Sequence, residues 1–188
     1  MEISIQEQKK QLRKEILTIR RGLTANEVQV ASVKIGQKLL RHPLYQQAQD
    51  VCLYVPIQNE VDVFCLSDKI RTDGKRVWLP RVQQSAMDFY ACEKDTEFIT
   101  GAYGILEPDT KIILQPQQSD AVLIVMPGAV FSKQKDRIGY GGGYYDRYLM
   151  QHPQCFTIAV AYHFQQVEAF TCEDTDIRPM DILYDTEI

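Results

Sequence analysis

Little in this sequence marks a membrane, a secretory route or a nucleic acid as its destination. Histidine occurs three times, as His42, His152 and His163, at no spacing that makes an HExxH or similar ligand pair. The cysteines, Cys52, Cys65, Cys92, Cys155 and Cys172, are odd in number and far apart, with no CxxC. That pattern argues for reduced, mostly buried thiols in a cytoplasm, and against disulfides or a zinc site. The longest low-charge apolar stretch, Ala121 to Phe131, is interrupted by Pro127 and Gly128 and falls well short of the about 20 residues a membrane-spanning helix needs. The N-terminal residues Glu2, Gln6, Glu7 and Lys9 leave no room for the apolar core of a signal peptide. A basic excess is missing too: 21 Lys plus Arg against 25 Asp plus Glu give a net charge of −4. A general nucleic-acid binder is thereby excluded, and any anionic ligand has to be held by a local cluster of charge.

What is present fits one globular domain over residues 1–188, with 45% hydrophobic residues and no repeat, low-complexity tract or linker. Residues 4–21 have helical periodicity, with Ile5, Leu12, Ile16 and Ile19 on one face, Lys9, Lys10, Arg13, Arg20 and Arg21 around it, and Gly22 to end it. Thr24 and Glu27 form a capping-box pattern that opens a second helix to about Arg41, which Pro43 interrupts. Val51–Val55 is an apolar run of strand-forming residues; Val63–Arg71 is expected to be helical and closed by Gly74. Val77–Leu79, Asp88–Ala91, Ala121–Met126, Phe156–Ala161 and Ile182–Tyr184 are further expected strands. A helix is expected from Gly142 or Gly143 to Gln151. Alternating helices and apolar strands imply an α/β fold: a three-layer α/β/α sandwich around a mainly parallel, Rossmann-like sheet, with ligands at the carboxyl ends of its strands.

The most informative stretch is VMPGAVFSKQKDRIGYGGGYYDRYL, Val125 to Leu149. A buried strand leads through Pro127-Gly128 and a charged loop into Arg137-Ile138-Gly139-Tyr140-Gly141-Gly142-Gly143-Tyr144-Tyr145-Asp146. Clustered glycines before a helix let several backbone N–H groups converge on one anion, helped by the positive end of the helix dipole. Lys133, Lys135 and Arg137 would add positive charge beside it. The plain alternative is a tight turn that needs glycine for steric reasons. No Gly-Lys-Ser/Thr is present, so this is not a Walker A loop. Tyr144 in the sixth position makes it a poor dinucleotide fingerprint. Asp146 beside a phosphate cradle suits Mg²⁺ held between carboxylate and phosphate, or equally an acid complementing the helix dipole. Asp174, Asp176 and Asp181 are candidates for a second ligand, or a solvated acidic loop.

These residues resemble the 5-formyltetrahydrofolate cyclo-ligase family, also called methenyltetrahydrofolate synthetase. Its signature is a strand ending in Pro-Gly, a Phe a few residues on, then Arg-Leu-Gly-x-Gly-x-Gly-Tyr-Tyr-Asp. Here the sequence has MPGAVF and then RIGYGGGYYDRYL. Further segments agree in order: KKQLR (Lys9 to Arg13), LYVPIQNEVD with Glu60, LPRV with Arg81, YGILEP with Tyr103, Glu107 and Pro108, and EDTDIRPMDILYDTE. The resemblance covers essentially the whole chain. The departures are Ser132 and Asp136, where the family often has Asp and Gly, and Thr175, where a His often precedes the acidic residue matched to Asp176. Asp181 remains a rival to Asp176.

The resemblance implies ATP- and Mg²⁺-dependent conversion of 5-formyltetrahydrofolate to 5,10-methenyltetrahydrofolate, with release of ADP and phosphate, by a cytoplasmic monomer that needs no nucleic acid or membrane. It implies ATP binding by Lys9, Lys10, Gln11, Leu12 and Arg13 and by Arg137 through Tyr145, namely Ile138, Gly139, Tyr140, Gly141, Gly142, Gly143, Tyr144 and Tyr145. It implies stabilisation of the transferred charge by Arg137, and Mg²⁺ held by Asp146 and Asp176. Reduced folate would be bound by Val55, Glu60, Tyr103, Tyr140, Gly141, Gly142, Gly143 and Tyr144, with Glu60 accepting from the pterin N–H groups. Each residue has a plainer role as well: Lys9 and Arg13 as a solvated helix face, Glu60 as a turn residue, Val55 as core, Tyr103 and Tyr144 as packing. Three other functions stay open. They are another ATP-dependent ligase or kinase on the same scaffold, a non-catalytic nucleotide or folate sensor, and a sugar-phosphate or CoA-transferring enzyme.

Overall fold

The computed structural model of the chain describes residues 4–119, 121–173 and 175–186. Two helices come first, α1 (Ile5–Arg21) and α2 (Ala25–Arg41). Each is opened by a complete capping box, Ser4 with Glu7 and Thr24 with Glu27, in which side chains satisfy N–H groups that no helical carbonyl can reach. Pro43 does more than interrupt α2. It starts a short helix, α3 (Pro43–Gln47), at the first-turn position where its missing N–H costs nothing. Next come β1 (Asp50–Cys52), a 3₁₀ turn at Phe64–Leu66, α4 (Ser67–Thr72), β2 (Arg76–Gln83), β3 (Ala86–Ala91), β4 (Phe98–Thr100) and β5 (Leu106–Pro108). The chain ends with β6 (Val122–Met126), β7 (Val130–Ser132), β8 (Arg137–Ile138), α5 (Tyr144–Gln151), β9 (Phe156–Ala161), β10 (Gln166–Val167) and β11 (Asp181–Tyr184).

The main sheet has the order β11-β9-β6-β1-β2-β3, parallel throughout except for the β2–β3 hairpin. Successive side chains point to opposite faces, so each strand feeds two cores. Val51, Leu53, Val77, Leu123, Val125, Ile158 and Val160 meet Ile35, Leu39, Tyr45 and Ile70 from α2, α3 and α4. Cys52, Trp78, Val122, Ile124, Met126, Ala159 and Ala161 meet Tyr148 and Leu149 of α5. This is the expected α/β/α sandwich on a mainly parallel sheet. Among the described residues no helix is long and apolar enough to cross a membrane.

Helix α1 departs from expectation. Its buried residues are Lys9, Ile16, Leu17 and Arg20, whereas Ile5 and Ile19 are exposed. Ile16 and Leu17 pack on Ala129, Val130 and Ile138 of a second, three-stranded sheet, β10-β7-β8. That sheet also replaces the expected charged loop after Pro127-Gly128, because Ser132 and Asp136 close a β7–β8 hairpin. The Ser132 hydroxyl donates to Asp136 Oδ2 (2.8 Å) and accepts from the Asp136 N–H (3.0 Å). Strand β1 is shorter than the expected Val51–Val55. After Leu53 the chain leaves the sheet toward Pro56, which has no N–H to give a ladder, and turns at Gln58 and Asn59, both in the left-handed region.

The amino end of β1 is held by one buried carboxylate. Asp50 accepts from Arg76 Nε (2.6 Å) and Nη2 (2.7 Å), from Trp78 Nε1 (2.7 Å) and from the Ser119 hydroxyl. Burial alone would raise its pKa, but these donors outweigh burial and hold it below the ordinary aspartate value. Asp50→Ala leaves the Trp78 and Ser119 donors unpaired and is expected to cost about 3 kcal/mol, read from the urea midpoint. The wild-type contribution is complete above about pH 4 and is lost as pH falls through the depressed folded value, so the gap between the two proteins should close in acid. A constant gap down to pH 2 would overturn this account.

Candidate functional site

Strands β1 and β6 are parallel neighbours, so the chain leaves both at the same edge of the sheet. After β1 the turn at 57–60 delivers Glu60. After β6 the β7–β8 hairpin delivers the glycine loop, 139–143. The two meet: the Tyr140 hydroxyl donates to Glu60 Oε1 and accepts from Arg20 Nη1 at 2.6 Å. The Ile57 N–H donates to Glu60 Oε2 at 2.9 Å. Burial raises the Glu60 pKa, opposed by the Tyr140 hydroxyl, the Arg20 charge and the Ile57 N–H. Burial and the Glu60 charge together push the Tyr140 hydroxyl well above the ordinary tyrosine value, so it stays a proton donor. The residue is 40% exposed, so part of it is open to a ligand although its hydroxyl is engaged.

The glycine loop takes backbone shapes that side chains resist. Gly141 has φ 97° and Gly143, the residue before α5, has φ 63°. No side chain caps the N–H groups that open α5, so those donors remain available to an anion. Arg13 lies against the loop, its Nε donating to the Gly139 carbonyl at 2.7 Å. Desolvation lowers its pKa, but a guanidinium stays charged. Among the described residues it has no carboxylate partner.

Arg147, whose Nη1 lies 2.7 Å from where a Cβ on Gly143 would stand, donates to the Ser85 carbonyl (2.9 Å) and also has no carboxylate partner among the described residues, whereas Arg137 and Lys9 are matched. Arg137 is buried rather than mobile: Nη2 donates to Asp146 Oδ1 (2.8 Å), Nη1 to the Pro127 carbonyl (3.4 Å), and Nε has no partner. Lys9 pairs with Glu173 Oε2 (3.1 Å) and with Asp176. Burial works against its charge, but the two carboxylates outweigh that and raise its pKa. Asp146 also accepts from the Ile177 N–H (3.1 Å), and Asp176, the residue before Ile177, accepts from the Glu173 N–H (2.8 Å). Asp181 is engaged elsewhere, by Lys135 (2.8 Å) and His42 (3.2 Å). Asp174 lies outside the described residues. Among the described residues no three His, Cys, Asp or Glu cluster as a metal cage. Two carboxylates are nonetheless the donor set Mg²⁺ accepts when phosphate and water complete its shell.

Some expected residues lie elsewhere. Lys10 and Gln11 are exposed, and Gln11 Nε2 bonds Glu15 (3.1 Å). Lys133 pairs with Glu168, so neither it nor Lys135 supplies charge to the loop. Leu12 and Ile138 pack in the α1 core, and Tyr145 lies under Arg137 and against Phe89, so these three offer backbone rather than side chain. Val55 packs against the main core. Tyr103 is exposed at the tip of the β4–β5 hairpin, and its hydroxyl lies 3.1 Å from that of Tyr144. Arg20 was missed as a site residue. A signal existed: Lys9, Arg13 and Arg20, spaced by four and seven residues, share the helix face that carries Ile16 and Leu17, and basic residues on a buried stripe need a reason.

Comparison with known proteins gives a consistent result. The profile of the 5-formyltetrahydrofolate cyclo-ligase family matches residues 5–185. A 5-formyltetrahydrofolate cyclo-ligase of Mycoplasma pneumoniae is 33% identical over 182 residues, covering 95% of this chain and 99% of its own. The solved structure of an Aquifex aeolicus 5,10-methenyltetrahydrofolate synthetase superposes with a TM-score of 0.83 at 31% identity, covering 95% of this chain and 90% of the other. That of a Mycoplasma pneumoniae 5,10-methenyltetrahydrofolate synthetase does so with 0.75 at 30%, covering 95% and 99%.

A Cβ at residue 141 is strained by about 1–2 kcal/mol at its positive φ, and the loop has to shift to relieve it. Gly141→Ala is therefore expected to weaken inorganic tripolyphosphate binding by roughly tenfold in calorimetric titration, while the thermal midpoint moves by only a few degrees. Unchanged affinity would show that the loop is not the anion cradle.

Proposed function

The chain belongs to the 5-formyltetrahydrofolate cyclo-ligase family, and we propose that it makes 5,10-methenyltetrahydrofolate from 5-formyltetrahydrofolate with ATP as cosubstrate and Mg²⁺ as cofactor. It is a ligase of folate one-carbon metabolism. The observation that carries the reading is the contact between Tyr140 of the glycine loop and Glu60, which joins a phosphate cradle to an acceptor for a donor-rich flat ring.

The chemistry explains why such a site has no nucleophilic triad. A formamide oxygen leaves poorly, so the neighbouring amine cannot close the ring efficiently. Transfer of the γ-phosphoryl group to that oxygen, with ADP departing, turns it into a good leaving group. The amine at position 10 then attacks the formyl carbon and phosphate departs. Positioning and charge neutralisation do the catalytic work. In this reading the backbone N–H groups of Gly139, Gly141, Gly142 and Gly143 hold the phosphates. Arg13 supplies unmatched positive charge, and Lys9 neutralises alongside it. Arg137, beside the loop with one nitrogen unpaired, stabilises the charge on the moving phosphoryl group. Asp146 and Asp176 would hold Mg²⁺, which would supply charge neutralisation for the phosphoryl transfer. Glu60 accepts from the pterin N–H groups, and Val55, Tyr103, Tyr140 and Tyr144 line the folate side. A cytoplasmic monomer is part of the proposal, and the five free thiols support a reducing compartment.

The test is absorbance of the purified protein mixed with 5-formyltetrahydrofolate, ATP and Mg²⁺. The near-ultraviolet band of the methenyl product should rise only when ATP is present and should vanish with excess chelator. Arg137→Ala and Asp146→Asn should each lower the rate by at least about a hundredfold with the fold intact. No rise under conditions where ATP binding is demonstrated would sink the proposal.

A further inference from the structure

Arg20 presents a physical problem that its sequence position does not solve. It is fully buried, on the stripe of α1 that continues Ile16 and Leu17, where an aliphatic side chain is the ordinary occupant. Its Nη2 is buried without a hydrogen-bond partner among the described residues. A permanent charge held that way is unfavourable unless something else uses it. Its other nitrogens all lead to one place. Nε donates to the Gln58 carbonyl (3.0 Å), in the turn that carries Glu60. Nη1 donates to the Tyr140 hydroxyl (2.6 Å) and lies 3.8 Å from Glu60 Oε1. The turn answers in kind, with Asn59 Nδ2 donating to the Arg20 carbonyl (3.2 Å) and the Leu23 carbonyl (3.0 Å). The end of α1 and the 57–60 turn are thus tied in both directions.

We infer that Arg20 is the positioning residue of the pterin subsite: it keeps the buried Glu60 carboxylate charged and, through the Tyr140 hydroxyl, aimed at the incoming ring. The inference rests on the assignment of Glu60 to the pterin. The titratable groups facing Glu60 are Tyr54 after β1, Tyr140 in the glycine loop, Tyr145 on α5 and Tyr162 after β9. All four are phenols whose ionisation would repel the carboxylate, and Arg20 is the cation among the described residues that offsets its burial. Tyr140 occupies one carboxylate oxygen in the free protein, and the Arg20 fork fixes where that oxygen stands.

Steady-state kinetics of Arg20→Gln in the full chain tests this, with the ligase activity as readout. The KM for 5-formyltetrahydrofolate should rise by roughly ten- to a hundredfold, with kcat changed by no more than about threefold and the KM for ATP unchanged. The rise should be larger at pH 6 than at pH 8, because Glu60 without its cation needs a higher pH to ionise. A loss that is equal at both pH values and falls on kcat through the folded fraction would overturn the proposal, leaving Arg20 a packing residue. Glu60→Gln separates the two claims. If it leaves the folate KM unchanged, the assignment of Glu60 fails. If it raises KM and Arg20→Gln does not, only the role of Arg20 fails. Should Arg20→Gln not fold, Arg20→Lys keeps the charge without the fork. It should then show a raised folate KM on a wild-type pH profile, and a wild-type KM would overturn the proposal.

Discussion

A guanidinium does not shed its proton to escape burial, so each buried arginine obliges its surroundings to supply compensating charge or oxygen. Two such arginines stand at the carboxyl edge of the main sheet, Arg20 and Arg137, and most of the site's geometry follows from them. Arg137 calls up Asp146 on the third residue of α5 and the Pro127 carbonyl. Arg20 calls up Glu60, the Tyr140 hydroxyl and the Gln58 carbonyl. Lys9 adds a third match, holding Glu173 and Asp176 against α1. The resting site is close to self-neutral, which lets so many ionic groups stay folded together. Among the described residues Arg13 and Arg147 have no carboxylate partner: Arg13 faces the Gly139 carbonyl and Arg147 lies against Gly143, so the surplus positive charge sits at the glycine loop.

Self-neutrality has a consequence for how the proposed substrates enter. Every carboxylate assigned to metal already has a cationic partner, and every one of those cations is also assigned to phosphate. In the proposed reading, Lys9 and Arg137 would face phosphate oxygens while Asp176 and Asp146 would be free to hold the metal, so each charged group would keep an opposite partner. The desolvation cost of the ionic groups is met on folding, as preorganised sites require. The fold makes this arrangement possible by letting α1 leave the main sheet. Packed on the small sheet through Ile16 and Leu17, α1 can aim Lys9, Arg13 and Arg20 at a site that the parallel strands alone would leave open.

Long, strongly patterned segments were legible in the sequence and short ones were not. Helices α1 and α2 carry their capping residues beside their periodicity. β6 and β9 are apolar runs with Val and Ile that can only be buried. β4, β5, β7, β8 and β10 have two or three residues each, too few for an alternation of period two to register. The glycine loop was legible because clustered glycines and a following helix constrain chemistry locally. For Arg20 periodicity could place a basic residue on the Ile16–Leu17 face, but not its role, which is set by Glu60 and Tyr140, far away in the chain. Lys133 and Lys135 show the opposite error. Adjacent in sequence to the glycine loop, they are turned away by the hairpin that Ser132 and Asp136 close, and they spend their charge on Glu168 and Asp181.

The placement of Tyr140 between two glycines ties the two proposed subsites together. Its backbone belongs to the loop that would hold phosphate, and its hydroxyl reaches the carboxylate that would hold the pterin. Gly139 on one side accepts from Arg13, and Gly141 on the other sits beneath the same guanidinium, 3.8 Å from its Nη1 to the position a Cβ would take. Phosphoryl transfer demands that acceptor oxygen and phosphorus approach to about 3–3.5 Å in line before reaction. A ring held at Glu60 and a phosphate held at 139–143 would be bridged by a single residue, Tyr140, whose backbone lies in the loop and whose hydroxyl reaches the carboxylate. A tyrosine flanked by glycines meets both needs: the glycines let the backbone adopt the cradle, and the long rigid side chain spans the distance from cradle to carboxylate.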